Sequence, residues 1–542
     1  MIVSLWSLLA CSGESEDTGT VTVRGTGPVA DYVLRLVPVV ANNQSPFDDL
    51  DKLDLVIEPE VGDPVRVSLE DFAEGVAPSA EDLPALEDAT ITVEGYSDGD
   101  LVTWGRTERI SLATGEEETQ VFVASTEAAA WLTPLSEGLW LPQIVSLGDG
   151  EFMMYGGVTN NRSGAPDRGQ DAVFTLSLAP PEDVVGFTSV GTAPTYLNGG
   201  GDPQTARMGA TFTPLNASGG DQGKILVVGG SEKQVYAQGS TSVSPAAALF
   251  DPSSGDWEDP LPENHSLTAA RSQHIAIENT QGNVVVWGGW GYVESNDFIT
   301  WVSTVEVYDR ASESFEVPST QPGTLGEIDA GAADLENDGT LLCGGADIDL
   351  DNDNAGIWVS SETCVTVSVD GTSIADAESL PVSLAAHAMI TLRDGRVLVT
   401  GGVTSDSPRL IGSGSADARG DAWIYTPATG SWTGAGAMNM ERAGHRMALL
   451  PDGRVLIVGG ATEYQPAFPV SDALSCLEVF DPDSSTFRVV DGCTADDDAG
   501  GLPNRAFEPA IAADPERGVL IVGGLGSDGG AQSGVSLFVS GG

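Results

Sequence analysis

The chain has 542 residues, more than one ordinary core holds unless that core is modular. Its 80 acidic residues outweigh 23 basic ones, and the net charge of −57 makes a field that repels phosphate backbones and anionic membrane surfaces, which argues against nucleic-acid binding. With 67 glycines, 31 prolines and few extended helical patterns, the composition points to short strands joined by turns.

Residues 1–20 read as an address. The apolar run from Ile2 to Ala10 is too short to span a bilayer as a helix, and it ends in Leu8-Leu9-Ala10-Cys11. That tetrapeptide resembles the bacterial lipobox, in which the cysteine is lipidated and becomes the mature N-terminus. No Lys or Arg precedes the apolar run, unlike an ordinary secretory signal. A polar tether follows, and Ser12 after the cysteine is compatible with an outer-membrane destination. Four further cysteines fall into two close pairs, Cys343 with Cys364 and Cys476 with Cys493, which an exported protein can oxidise to disulfides.

Residues 21–125 show period-two alternation in about seven short stretches, among them Tyr32–Val37, Leu53–Ile57, Thr90–Glu94 and Thr119–Val123. This predicts a small β-sandwich, immunoglobulin-like or transthyretin-like.

From residue 127 to 542 a pair of glycines keeps returning after a short apolar run: Gly156-Gly157, Gly229-Gly230, Gly288-Gly289, Gly344-Gly345, Gly401-Gly402, Gly459-Gly460 and Gly523-Gly524. The steps between them run from 56 to 73 residues, the mark of a repeat architecture. The best-formed unit starts at His387, with a strand Ala388–Leu392, an Asp394-Gly395 turn, a strand Arg396–Thr400 closed by Gly401-Gly402, a long loop, a third strand Ala422–Pro427 and a fourth opened by Trp432. Trp257 holds the place of Trp432 in the second unit, and Arg271-Ser272-Gln273-His274 and Arg442-Ala443-Gly444-His445 are shared lead-ins.

These marks strongly resemble the kelch repeat. The resemblance implies an all-β chain whose C-terminal three quarters form a seven-bladed kelch β-propeller, four strands to a blade. The last unit has only three strands, and Ala129-Ala130-Trp131-Leu132 supplies the fourth, with Trp131 matching Trp257 and Trp432. Pairing the two ends would remove the open sheet edge.

Some kelch propellers are copper oxidases that need two His, two Tyr and a Cys linked to one Tyr. Here three of the four histidines (His274, His387 and His445) share one lead-in position, which reads as structural, while His265 stands alone in a loop. Asp347, Asp349, Asp351 and Asp353 alternate in a loop after the fourth diglycine; they read as a solvated acidic loop or as a Ca²⁺ site, although the EF-hand frame fails. No other cofactor is expected. The long loops after the diglycines should gather on one face, and Trp290, Tyr292, Trp301, Trp358, Tyr464 and Phe468 lie in them as candidate ligand-binding rings.

The expectation is therefore an exported, monomeric lipoprotein at the outer membrane or cell surface, touching the membrane only through its anchor. It would act as a scaffold for a protein or glycan and not as an enzyme. The alternative is a carbohydrate-active propeller enzyme resembling the sialic acid mutarotase or galactose oxidase types. Converging His, Arg, Glu and Tyr side chains in the central channel would favour that alternative.

Overall fold

The computed structural model describes residues 21–541 apart from 27–30, 40–44, 49, 60–62, 70–85, 108–109, 113–116, 149, 160–167, 170, 179–186, 193–195, 198–202, 205–206, 218–221, 232–242, 259–265, 294–297, 323–324, 351–355, 411–413, 465–471, 491–500 and 516–517. Cys11, His265, Asp351, Asp353, Phe468 and Cys493 lie outside the described residues, as does the side chain of Tyr292.

The chain is all-β and built of many small antiparallel sheets. In residues 21–125 the strands pair through one continuous sheet, in the order Val21–Thr26, Asp31–Val39, Glu117–Ser125, Asp100–Arg106, Leu86–Ser97, Lys52–Pro59 and Val65–Leu69. The two separate sheets of a sandwich are not seen as such. The 12-residue strand Leu86–Ser97 pairs with three others and bridges what would be two layers. Alternate residues Leu34, Leu36, Leu53, Leu55, Ile57, Ile91, Val93, Val121 and Val123 meet in one buried cluster. Leu50 belongs to the same cluster and Phe47 packs against it, so the segment between Asp31–Val39 and Lys52–Pro59 helps to keep this face from water.

Beyond residue 126 the structure has the plan of a propeller. Sheets with a path of four strands, the first carrying a short fifth strand beside it, succeed one another along the chain with innermost strands Trp140–Gly148, Thr211–Pro214, Ile275–Glu278, Gly331–Asp334, Ala388–Thr391, Arg446–Leu449 and Ala510–Asp514. Each innermost strand touches the next, and the seventh returns to the first. The last sheet takes its outer strand from Ala129–Trp131, with Ser536 opposite Trp131 and Phe538 opposite Ala129. The Trp131 indole also donates to the Gly501 carbonyl at 3.0 Å. Glu127, just before this strand, binds Arg454, Arg488 and the Gly541 amide, tying both ends of the ring to the sixth sheet.

The diglycines are stitches between sheets. All fourteen have φ between 59° and 102°. A Cβ on Gly288 would lie 2.1 Å from the Glu327 carbonyl oxygen of the next sheet. The second glycine donates its N–H to that same lead-in carbonyl, as Gly289 does to Glu327 at 2.8 Å and Gly345 to Leu384 at 2.8 Å. Only glycine combines the left-handed conformation with such an approach.

Aromatic pairs fill the outer parts of the sheets. Trp257 packs on Phe250 of its own sheet (4.9 Å between centroids) and on Tyr155 of the preceding one (5.8 Å), while Tyr425 packs on Trp432 and Phe480 on Phe487. Two lead-in arginines are wholly buried and paired: Arg271 with Glu306 at 2.5 Å and Arg442 with Glu478 at 2.7 Å. Cys343 and Cys364 sit opposite each other on neighbouring strands of the fourth sheet and form a disulfide; Cys476 is disulfide-bonded as well.

Candidate functional site

A cavity of about 370 Å³ lies where the innermost strands meet, lined by residues from every sheet. Its rim is set by a backbone device absent from the sequence reading. Leu141, Gly209, Gln273, Asp329, Ala386, Gly444 and Glu508 take the same step, one per sheet, at the entry to the innermost strand: Leu141 is the second residue of its strand and the other six stand two residues before theirs. All seven have left-handed φ, from 48° to 63°. Neighbouring members are joined by hydrogen bonds around the ring, Ala386 N–H to the Asp329 carbonyl, Gly444 to Ala386 and Glu508 to Gly444, at 2.8 to 3.0 Å. Left-handed backbone costs a non-glycine residue about 1–2 kcal/mol. Two members are glycine; Asp329 and Glu508 instead bring carboxylates to the cavity.

Those two carboxylates have defined surroundings. The Tyr464 hydroxyl donates to Asp329 Oδ2. The Trp140 indole donates to Glu508 Oε2 at 3.3 Å, and the Arg446 guanidinium stands 3.8 Å from Glu508 Oε1. Burial pushes both carboxyls up. Glu508 rises to about 7 against the pull of Arg446, and Asp329 rises while Tyr464 and Arg446 hold it back. Burial and the neighbouring Asp329 raise Tyr464 well above the usual phenol. A carboxyl that titrates near neutrality can both give and take a proton there, and paired carboxylates accept hydrogen bonds from hydroxyl groups.

The rings proposed for ligand contact are mostly inside. Trp290, Trp358 and Tyr464 are at most 5% exposed, and Trp301 is half-buried against them. They belong to one cluster with Trp140, Leu141, Ala386 and Phe507, packed over the ring of lead-in residues. Trp358 meets Tyr464 edge-on at 6.3 Å, and Tyr464 meets Phe507 at 6.2 Å. The inserted segments are themselves strands, Trp290–Val293 with Phe298–Trp301, Ala346–Leu350 with Gly356–Ser360, and Ala416–Asp417 with Glu463–Tyr464, which turns these rings inward. Exposed rings on a loop face are thus corrected to a roof over the axis.

Asp347 and Asp349, expected in a loop, lie on one face of the strand Ala346–Leu350. Glu327 is near them; it accepts from the Ile348 amide at 3.2 Å, and burial raises it to about 7. Among the described residues no three ligating side chains gather as a metal group.

Of the shared lead-in histidines, His274 Nε2 pairs with Thr211 Oγ1 at 2.9 Å and His445 Nε2 with Thr400 Oγ1 at 2.8 Å. Burial and a neighbouring lead-in arginine hold both far below the usual imidazole value. Thr211→Val should therefore lower stability by about 1–2 kcal/mol, because it strands a buried nitrogen. Urea unfolding against wild type measures this, and an unchanged midpoint would refute the structural role of the pair.

No protein-family model and no curated protein matches the chain. Among solved structures, the one titled "Structure of YjhT" superposes on 66% of this chain and 99% of its own, with 12% identity and a TM-score of 0.42.

Proposed function

We propose that this chain is an exported lipoprotein, anchored through Cys11, whose seven-bladed kelch-type propeller binds a small hydroxylated ligand of the carbohydrate class in its axial cavity and performs acid–base chemistry on it. The blade number is supported by the succession of sheets with a path of four strands and the seven diglycines. Export is supported by Leu8–Cys11 and by the Cys343–Cys364 disulfide, a bond of oxidising compartments.

The observation that carries the reading is the pair Asp329 and Glu508, both raised in proton affinity and set beside Arg446 on one cavity rim. A neutral polyol suits this mixture of carboxyls and one guanidinium better than an anion does, since the chain's own field repels anions. The scaffold reading keeps one support, the inserted sheet of Ala346–Leu350, Gly356–Ser360 and Arg409–Leu410, with Leu410 45% exposed.

Calorimetric titration of the purified protein with D-glucose, D-galactose, D-mannose and N-acetyl-D-glucosamine, together with proton NMR of anomer exchange, tests the proposal. At least one sugar should bind, and Asp329→Asn and Glu508→Gln should each weaken it tenfold or more. If no sugar saturates the protein at about 10 mM, the axial reading fails and the scaffold reading takes its place.

A further inference from the structure

The three lead-in histidines are alike in position and unlike in partners. Each ring lies over the first glycine of the preceding sheet: His274 over Gly229, His387 over Gly344 and His445 over Gly401, with the imidazole carbon Cε1 2.7–2.8 Å from where a Cβ would sit. His274 takes its hydroxyl from the first residue of the preceding innermost strand, Thr211. His445 takes its own from the last residue of the preceding second strand, Thr400.

For His387 both sources are gone. The place of Thr211 is Gly331, and the place of Thr400 is Cys343, which is committed to the disulfide with Cys364. Neither ring nitrogen of His387 has a hydrogen-bond partner within the protein, although the residue is only 6% exposed. It lines the axial cavity, and its neighbour Ala386 is hydrogen-bonded to Asp329.

We infer that His387 is a ligand-binding residue of the axial site, its imidazole exchanging hydrogen bonds with a hydroxyl group of the bound ligand. This rests on the proposed carbohydrate-binding role of the cavity and adds a third side chain to Asp329 and Glu508. Burial lowers His387 to about 4, so at neutral pH the ring is uncharged, with one N–H donor and one lone pair. A sugar hydroxyl can pair with either ring nitrogen, accepting from the N–H or donating to the lone pair, whereas a carboxylate can only accept and an ammonium group can only donate. Leaving both nitrogens unmatched lowers stability in the free protein, a burden that a purely structural histidine could shed by becoming leucine.

The test is a comparison of His387→Leu and His387→Gln in the full chain, titrated with whichever of the four sugars named above binds wild type best. His387→Leu should bind that sugar about tenfold more weakly while its thermal midpoint stays level or rises. His387→Gln keeps a donor and an acceptor and should bind within about threefold of wild type. Nitrogen-15 NMR of the histidine rings in wild type provides a readout free of folding effects: the His387 ring nitrogens should shift on sugar addition. Equal binding by His387→Leu overturns the inference, as does an unmoved ring resonance if that variant fails to fold. Equal losses in the Leu and Gln variants overturn it too. If no sugar binds wild type, the cavity assignment itself has failed, and this inference falls with it; a sugar that binds without engaging His387 removes only the inference.

Discussion

Arg442→Leu should destabilise the protein by about 3–5 kcal/mol, among the largest losses expected from a single substitution. Arg442 is fully buried, and it donates to the carbonyls of Gly459 and Cys476 as well as to Glu478. Leucine fills much of the space but leaves the Glu478 carboxylate buried with only the Asn439 and Met440 donors. The cost is that of an uncompensated charge and not the net worth of the pair. The double variant Arg442→Leu/Glu478→Leu should therefore recover most of the loss. The fold already contains this solution: the fifth sheet has Leu384 and Trp423 at the two equivalent places, and the seventh has Ala506 and Ser536. Urea unfolding of the three proteins decides the matter. A single variant within about 1 kcal/mol of wild type would mean that the pair is not sealed from water.

The second expectation concerns pH. Glu508 has an ordinary value of 4.5 and stands at about 7 in the fold, so between those limits the folded state holds more proton than the unfolded chain. Stability linked to this group is present below about 4.5 and declines as pH climbs through about 7, by up to roughly 3 kcal/mol. Glu508→Gln has no proton to lose at this position, and its stability should fall less steeply across this interval than that of wild type. Asp329, also raised by burial, adds to the slope in the same direction. The measurement is the unfolding midpoint at pH 5, 6, 7 and 8 for both proteins. A wild-type curve that rises over this range would refute the assignment.

The repeat was legible because its marks answer to backbone geometry that few residues meet. A diglycine that must adopt left-handed φ and lie against the next sheet's carbonyl has no substitute, so it recurs in every unit. The closing strand was legible for a related reason, since Trp131 repeats the place of Trp257 and Trp432. The partners of the first sheet were not legible, because period-two alternation says which face is buried and nothing about which strand lies alongside.

The axial carboxylates were hidden for the opposite reason. Asp329 and Glu508 stand where other units carry Leu141, Gly209, Gln273, Ala386 and Gly444, so the site is made by departures from the repeat and shares no motif with it. The usable signal was the shared Arg-x-Gly of Arg207-Met208-Gly209 and Arg442-Ala443-Gly444. It marks the step, and Glu327-Ile328-Asp329 and Ala506-Phe507-Glu508 break it. The rings failed as exposed contacts because the segments that carry them fold back as hairpins over the hub.

The joint between Ala129–Trp131 and Val535–Phe538 also dictates an order of events during synthesis. The ribosome makes one half of the clasp about 400 residues before the other, and until then a bare ribbon edge trails from the growing polypeptide, open to mispairing. A premature stop anywhere ahead of residue 535 would remove the last half of the clasp, and no local repair could replace it. Survival of the finished product therefore depends on whatever shelters the unfinished chain until its last strand is made.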